Sequence, residues 1–109
     1  MRDRVGPVFA ALADPNRRFV VETLAARGSA TATELAGELP VTRQAVAKHL
    51  AALGYAGLVE SSRSGRETRY RLTPEPLGDA LDWMEQVGAQ WDDRLGALRS
   101  HLAERRVGD

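Results

Sequence analysis

The stretch from Thr31 to Leu53 constrains the fold most, because it contains two short helical patterns on either side of a tight break. Thr31 is followed three residues later by Glu34, the signature of a capping box, so a helix is expected to begin there. Pro40 cannot continue that helix, because its ring clashes with the preceding turn and it lacks an N–H. Two helices joined by a turn of about three or four residues form a helix-turn-helix, which the sequence predicts over residues 31–53.

The second helix of this pair has two distinct faces. Thr42 offers an N-cap, and the apolar residues that follow have the i, i+4, i+7 spacing of a buried face, namely Val46, Leu50 and Leu53. The opposite face carries Arg43, Gln44, Ala47 and Lys48. In a recognition helix this N-terminal part meets base edges in the major groove, where Arg pairs with guanine and Gln with adenine. The alternative is the solvated face of an ordinary core helix, and this stretch alone does not separate the two.

Composition limits the classes of protein to consider. A chain of 109 residues has the size of one domain, and 43% hydrophobic residues can form a small core. The absence of cysteine excludes disulfides and thiolate metal sites. No apolar run approaches the roughly 20 residues of a membrane span, and the N-terminus lacks the apolar segment of a signal peptide. We therefore expect a soluble cytoplasmic protein without a membrane partner.

The formal net charge is zero, but the charges are unevenly distributed. Residues 40–73 carry six basic and two acidic side chains, a balance of +4, whereas residues 74–109 carry four basic and eight acidic ones, a balance of −4. The positive block coincides with the predicted reading helix and the segment after it. A basic region of this kind is what phosphate contact requires, while the acidic C-terminal part predicts modest non-specific affinity.

Two helices are predicted before the helix-turn-helix. Apolar residues at helical spacing indicate a short helix over residues 4–12. Asp14 as N-cap and Pro15 in the first turn begin a second helix, which Gly28 ends. Arg17 and Arg18 lie in its first turn, where we expect surface or ion-pairing roles, with phosphate contact as the alternative.

A basic β-hairpin is predicted after the helix-turn-helix, over residues 58–72. The strands are expected at Leu58–Arg63 and Glu67–Leu72, because the second alternates polar and less polar residues with a period of two. Ser64-Gly65-Arg66 is typical of a hairpin turn. A hairpin in this position is a wing, whose tip would bring Arg63 and Arg66 to a flanking minor groove or to the backbone. Protection of an exposed strand edge is the other explanation for these arginines.

The last helix is predicted over residues 74–103 and carries a heptad seam. Steps of four and three residues connect its seam positions, which are Leu77, Leu81, Met84, Gly88, Trp91, Leu95, Leu98 and Leu102. This spacing lets two helices pack side by side, and Gly88 would allow a close approach. A helix of about 27 residues spans roughly 40 Å, more than a core of this size covers, so we expect it to pair with a second copy. Trp83 and Trp91 are expected to anchor that interface, although they could line a pocket for a small apolar effector.

The whole pattern resembles the ArsR family of winged-helix transcriptional regulators. The matching stretches lie between residues 8 and 72, and they are Ala11-Leu-Ala-Asp-Pro-Asn-Arg17, Thr33-Glu-Leu-Ala36, Val41-Thr-Arg-Gln-Ala-Val-Ala-Lys-His-Leu50, Ala56-Gly-Leu-Val59 and Gly65-Arg-Glu-Thr-Arg-Tyr-Arg-Leu72. The resemblance implies a mainly α fold with a β-hairpin wing and a homodimer formed by the first and last helices. Its implied interface residues are Val5, Phe9, Leu81, Met84, Gly88, Trp91, Leu95 and Leu98. The implied DNA-facing residues are Thr42, Arg43, Gln44, Lys48, His49, Arg63, Arg66 and Arg69.

The chain departs from the metal-sensing members of that family. Their thiolate site lies on the first helix of the helix-turn-helix, which here reads Glu34-Leu-Ala-Gly-Glu-Leu39 without cysteine. Their other common site uses histidines of the last helix, and here that helix carries only His101, while His49 lies in the reading helix. Isolated histidines do not assemble a first-row metal site without carboxylate help. We therefore expect neither a metal nor a cofactor, and an inducer of unknown identity.

Three functions compete at this stage. An enzyme is disfavoured, because the sequence lacks a phosphate-binding glycine loop and a nucleophile beside a histidine, and the paired carboxylates Asp92 and Asp93 fit solvated charges on a helix surface. A winged helix that binds protein instead of DNA remains an alternative, although such domains usually lose the basic wing. The sequence predicts a homodimeric, DNA-binding transcriptional regulator, a repressor that a signal releases, with activation as the other possibility.

Overall fold

The computed structural model describes residues 3–107, with side chains as far as Glu104. Its elements in chain order are α1 (Gly6–Leu12), α2 (Pro15–Arg27), α3 (Ala32–Glu38), α4 (Arg43–Tyr55), β1 (Val59–Ser64), β2 (Glu67–Leu72) and α5 (Glu75–Val107). The two strands form one antiparallel sheet. The predicted fold class is therefore confirmed: five helices, a two-stranded hairpin after the helix-turn-helix, and a long C-terminal helix.

The first two helices differ slightly from the prediction. α1 begins at Gly6, two residues later than expected, because Pro7 fits a first helical turn and the Asp3 carboxylate accepts hydrogen bonds from the N–H groups of Val5 and Gly6, at 3.1 and 2.8 Å. The limits of α2 are confirmed. Asp14 is its N-cap. Its C-cap is Gly28, which has a φ of 86°, a value that glycine adopts without strain.

The caps of the helix-turn-helix also form as predicted. The hydroxyl of Thr31 accepts a hydrogen bond from the Glu34 N–H at 3.1 Å, and the Glu34 carboxylate accepts one from the Thr31 N–H at 2.9 Å. α3 then ends before Leu39, whose extended backbone suits the residue that precedes a proline. Thr42 caps α4 by accepting a hydrogen bond from the Ala45 N–H at 3.1 Å.

The core lies between α1, α2, α3, α4 and the base of the hairpin. Its largest fully buried side chains are Val8, Val20, Leu24, Leu35, Val46, Leu50, Leu53 and Leu58. The three apolar residues of α4 that the helical spacing identified are all in this set. Because they fill the core, α4 is fixed in rotation about its own axis, and its polar face must point outward.

The hairpin is joined to the connection between α2 and α3 by one isolated β-bridge. β1 and β2 pair from Val59–Leu72 at the base to Ser64–Glu67 at the tip, so β1 lies one residue later than predicted. The turn residue Gly65 has a φ of 62°, as the first central residue of a type II′ turn requires. At the other end Ala30 and Tyr70 exchange two backbone hydrogen bonds of 3.0 and 2.8 Å, which join the hairpin to the connection between α2 and α3.

The last helix extends away from this core. α5 continues to Val107 and not to about residue 103, because the intervening sequence Glu104-Arg-Arg-Val107 contains no glycine or proline to stop it. Ala80 is its buried anchor, whereas its larger apolar side chains are exposed, namely Leu81, Trp83, Met84, Trp91, Leu95, Leu98 and Leu102. The molecule is 74 Å long with a radius of gyration of 20.2 Å, compared with about 13 Å for a compact domain of 100 residues.

Candidate nucleic-acid interface

A cleft of about 1000 Å³ separates the N-terminal end of α4 from the hairpin. α4 contributes Arg43, Gln44 and Ala47 to its walls, and the hairpin contributes Arg66 and Thr68. The side chains of Arg43, Gln44 and Arg66 are exposed. The structure thus brings together, on one side of the molecule, the two groups of residues that the sequence assigned to base contact and to wing contact.

Two further basic residues of the predicted set lie near this cleft but do not line it. Lys48 is exposed on α4, one turn after Gln44. Arg63 is exposed on β1, directly opposite Thr68 in the hairpin register. Because both side chains are exposed to solvent, the ammonium of Lys48 and the guanidinium of Arg63 are accessible to a phosphate backbone.

Two other residues of the predicted set, Thr42 and His49, have contacts or surroundings within the chain. The Thr42 side chain is occupied as the N-cap of α4, although it is exposed. His49 is half-buried on the side of α4 that faces the start of α2, where its charge acts on Asp14. Burial raises the pKa of the Asp14 carboxyl, but the N–H groups of Arg17 and Asn16 and the charges of His49 and Arg17 outweigh it, so that this pKa is lowered.

Arg69 is engaged within the chain. Its Nη2 lies 3.3 Å from Oε1 of Glu34, its Nη1 lies 3.3 Å from Oε2 of Glu67, and its Nε donates to Oγ of Ser29 at 3.2 Å. The guanidinium therefore spans from the hairpin to the helices. Each of the three guanidinium nitrogens thus has a partner within the protein, and contact between Arg69 and DNA stays a prediction.

Arg17 and Arg18 have a role that the sequence analysis did not identify. The Nε of Arg17 donates to the carbonyl of Ala11 at 2.6 Å, and the Nη1 of Arg18 donates to the carbonyl of Leu12 at 2.6 Å. These carbonyls belong to the last turn of α1, which has no intrahelical donors for them. The two arginines therefore cap α1 from the start of α2, and the expectation of an ion-pairing role is replaced by this one.

The predicted interface residues follow α1 and the exposed side of α5. Val5 is half-buried, whereas Phe9 is exposed and packs edge-on against Trp83 with ring centroids 5.6 Å apart. Trp83 also borders a cavity of about 570 Å³ together with Asp79 and Asp82. The remaining interface residues are half-buried or exposed along α5, and they are Leu81, Met84, Gly88, Trp91, Leu95 and Leu98.

Two further properties of the described residues concern metal binding and membrane insertion. Between residues 3 and 107, no three side chains of the His, Cys, Asp or Glu type converge in a way that could hold a metal ion. Over the same residues, no helix combines the length and the apolar composition that crossing a bilayer requires.

The helix-turn-helix, the cleft beside α4 and the hairpin together define a winged-helix DNA-binding protein. A family model described as a helix-turn-helix domain matches residues 12–62. The chain is 40% identical over 85 residues to YuzN of Bacillus subtilis (strain 168), an uncharacterized HTH-type transcriptional regulator, covering 72% of this chain and 92% of that protein. It is 31% identical over 77 residues to the transcriptional repressor SdpR of the same strain, covering 71% and 84%.

Solved structures extend the same similarity to the fold. An ArsR-like transcriptional regulator from Rhodococcus sp. RHA1 superposes with a TM-score of 0.76 at 45% identity, covering 89% of this chain and 91% of that one. The chain belongs to the ArsR family of helix-turn-helix transcriptional regulators. Its relatives are helix-turn-helix transcriptional regulators and not enzymes, which confirms the family and the class of function that the sequence predicted.

Proposed function

We propose that this protein is a cytoplasmic, homodimeric repressor of transcription that an effector still to be identified releases from its operator. The observation that carries the proposal is the cleft between α4 and the hairpin, where Arg43 and Gln44 face Arg66 across a space open to solvent. No other part of the described chain combines a helix N-terminus, exposed arginines and a projecting hairpin in this way.

In this proposal α4 enters the major groove. Arg43 and Gln44, in its first turn, contact base edges, and the small Ala47 permits the close approach that such contacts need. Lys48 and Thr42 contact phosphates beside them. Arg63 and Arg66 contact the flanking backbone or minor groove from the hairpin.

Two residues of the sequence-based set are left out of the proposed contacts. His49 is half-buried toward α2, and Arg69 already has partners on Glu34, Glu67 and Ser29. These contacts hold the guanidinium against the helices, although each of its Nη nitrogens carries a second N–H donor. The proposed interface therefore contains six residues, Thr42, Arg43, Gln44, Lys48, Arg63 and Arg66.

The dimer is supported by the exposed apolar side of α5. Trp91 is 57% exposed and Leu98 is 52% exposed, and both belong to one seam of seven apolar side chains and one glycine. Soluble monomers rarely expose a continuous apolar surface of this kind. A second copy related by a two-fold axis covers it, and it spaces the two reading helices about one helical turn of DNA apart, 10–10.5 bp.

Repression follows from the position of such a dimer on DNA, since a bound dimer blocks the polymerase at an overlapping promoter. SdpR, a relative at 31% identity, is a transcriptional repressor. Release requires an effector that binds the DNA-free arrangement of the dimer more tightly than the DNA-bound one. The absence of cysteine from the chain favours an effector other than a thiophilic metal.

The test is binding to duplex DNA from upstream of the protein's own coding region, measured by fluorescence anisotropy over a salt series, with an unrelated duplex as control. We expect two protomers per site and an affinity that falls steeply with salt. Arg43→Ala should weaken specific binding by about 1–3 kcal/mol, and Lys48→Ala should reduce the salt slope by about one. Arg99→Ala removes the same charge from exposed α5 and should change neither quantity.

Three results would count against the proposal. Equal affinity for both duplexes would indicate non-specific binding. An Arg43→Ala variant with wild-type affinity would exclude α4 as the reading helix. No binding to either duplex at low salt would favour the alternative that this winged helix binds another protein.

A further inference from the structure

One cluster of charged side chains connects the hairpin to the helices. Glu34 lies at its centre: its Oε2 is 2.6 Å from Nη2 of Arg27, and its Oε1 is 3.3 Å from Nη2 of Arg69. Arg27 also pairs with Glu38 at 2.9 Å, and Arg69 pairs with Glu67 at 3.3 Å. We call these five residues the Glu34 cluster. It links α2, α3 and β2, and two of its members, Glu34 and Glu67, line the DNA-facing cleft.

We propose that Glu34 and Arg69 are positioning residues for DNA recognition: their ion pair holds the wing at the distance from α4 at which Arg66 reaches the DNA that flanks the half-site. Neither side chain needs to touch DNA for this role. The inference rests on the proposed function, because it assigns a task to a contact that the proposed function contains.

The hairpin needs such a support because its own contacts lie mainly at its base. The Ala30–Tyr70 bridge supplies two hydrogen bonds, and the apolar contacts of Val59 and Leu72 lie further from the tip. The residues from Ser61 to Glu67 are exposed. A two-stranded hairpin is marginally stable by itself in water, so the orientation of its tip depends on what fastens it.

Arg69 holds the hairpin at a position between the bridge at its base and its tip. It lies next to Tyr70, on the opposite face of β2, and three residues from Arg66. Its planar guanidinium reaches three partners at once, on α3, on β2 itself and on the connection between α2 and α3. The side chains of Arg69 and Glu34 are 30% and 34% exposed, so solvent screens the pair only in part.

Glu34 is the other member of the ion pair that holds the hairpin, and the capping box fixes its position. Its Oε1 accepts the hydrogen bond from the Thr31 N–H at 2.9 Å and also faces Arg69. The residue that completes the capping box of α3 is therefore also the residue that pairs with Arg69 of the wing. The pre-ordered wing would lose less conformational entropy when DNA binds, which is how preorganisation raises affinity.

Two substitutions separate positioning from capping and from direct contact. Glu34→Gln keeps a side chain that the capping box accepts but removes the charge that attracts Arg69. Arg69→Lys keeps the positive charge that a phosphate would need, but a single ammonium cannot bridge three partners. Glu38→Gln is the matched control, because Glu38 pairs with Arg27 and lies outside the Arg69 contacts.

The first measurement is hydrogen–deuterium exchange of the DNA-free protein. We expect faster exchange of the hairpin amides of residues 63–68 in Glu34→Gln and in Arg69→Lys, with α3 and α4 as protected as in the wild type. Glu38→Gln should exchange like the wild type. Unchanged hairpin exchange in both variants would overturn the proposal without any reference to DNA.

The second measurement uses two duplexes: the region that the wild type protects in footprinting, and the same region trimmed of its flanks on both sides. Both variants should bind the full duplex roughly two- to five-fold more weakly than the wild type and bind the trimmed duplex with wild-type affinity. A loss that is equal on both duplexes would indicate a general structural defect and would overturn the positioning role.

The remaining outcomes separate this inference from the proposed function. Wild-type binding by Arg69→Lys together with weak binding by Arg69→Ala on both duplexes would make Arg69 a direct phosphate contact, which overturns the inference but not the proposed function. If the wild type binds no duplex, the proposed function fails, and the exchange measurement alone decides whether Glu34 and Arg69 fix the wing.

Discussion

Two regions of this molecule bury their apolar residues in opposite ways. The head, residues 6–80, closes its core within one chain, so that Leu35 and Leu53 are both 0% exposed. The arm, residues 81–104, has the same kind of helical spacing but leaves Trp91 57% and Leu98 52% exposed. The head and the arm therefore differ in what covers the apolar face and not in whether the sequence provides one.

This difference teaches what each region contributes to function. The head needs no partner to place Arg43 and Arg66 around one cleft. The arm is complete only when another surface covers it, which under the proposed function is the arm of a second copy. Under the proposed function, recognition of a half-site is thus encoded in the head, and the spacing of two half-sites in the arm.

The largest effect on DNA affinity is expected from placing charges in the apolar seam of the arm. Leu95→Glu combined with Leu98→Glu places two charges in the seam, so the dimer should dissociate while the head stays folded. Loss of the second half-site contact should lower operator affinity by roughly 10²–10⁴-fold, the gain that a linked second site provides. Sedimentation would report the mass, circular dichroism the fold, and anisotropy the affinity.

The matched control for this variant adds the same charges elsewhere. Ala97→Glu combined with Ser100→Glu places them on the opposite side of α5, since each residue advances about 100° around the helix. That variant should remain dimeric and bind DNA like the wild type. A Leu95→Glu and Leu98→Glu protein that stayed dimeric would show that the seam does not form the interface.

The next largest effect is expected from the head. Leu53→Ala leaves a cavity in a fully buried site and should lower the free energy of unfolding by about 2–5 kcal/mol. Leu102→Ala is the counterpart in the arm, where the side chain is 49% exposed. In the monomeric background of the Leu95→Glu and Leu98→Glu variant, Leu102→Ala should change the free energy of unfolding, measured by urea denaturation, by less than about 0.5 kcal/mol. Equal costs at the two sites would contradict the contrast between head and arm.

The sequence predicted the parts of this fold that depend on neighbouring residues. The caps at Asp14, Thr31 and Thr42 and the left-handed Gly28 are decided within one helical turn, and all of them form. The limits that shifted depend on more distant contacts or on the absence of a stop signal. β1 begins at Val59 because the N–H of Leu58 donates to the carbonyl of Leu53 at the end of α4, at 2.9 Å, and not to the opposite strand.

The candidate site was predicted less completely, for a physical reason. Alternation along β2 correctly separated the face of Tyr70 from that of Arg69, but it did not show which element each face meets. That depends on the bridge between Ala30 and Tyr70, which are forty residues apart. The same limit applies to His49, whose surroundings are set by how α2 crosses α4. The partners of Arg69 and the direction of His49 are properties of the packing and not of the local pattern.

A smaller effect is expected from protonating the carboxylate of Glu34, which pairs with Arg27 and Arg69. The hydrogen bond from the Thr31 N–H and the charges of Arg69 and Arg27 outweigh partial burial and hold the pKa of Glu34 below its ordinary value of 4.5. A lowered carboxylate pKa stabilises the folded state above the ordinary value, and this contribution is lost as the pH falls through the folded-state pKa.

The wild type should therefore lose more stability than Glu34→Gln as the pH falls below 4.5. Thermal unfolding of the two proteins at several pH values would show their difference in Tm narrowing toward acid. Other carboxylates, including Asp14, titrate in both proteins and cancel in the comparison. A Tm difference that stayed constant from neutral pH down through this range would show that the Glu34 carboxylate does not support the head through its charge.

The smallest effects are expected from replacing glycines of α5 by alanine. They test most sharply what covers the arm, because an added Cβ stabilises an unpartnered helix but weakens a close contact with a partner helix. Gly88 and Gly96 both lie in α5, and an added Cβ at either position meets no atom within 4 Å in the single chain. In the monomeric background, Gly88→Ala and Gly96→Ala should each stabilise the helix by up to about 1 kcal/mol. Only Gly88 lies on the seam, so in the dimer only Gly88→Ala should weaken association, which sedimentation equilibrium measures. If both variants dimerise with equal strength, the partner helix does not approach closely at Gly88, and the seam is covered in another way at that level.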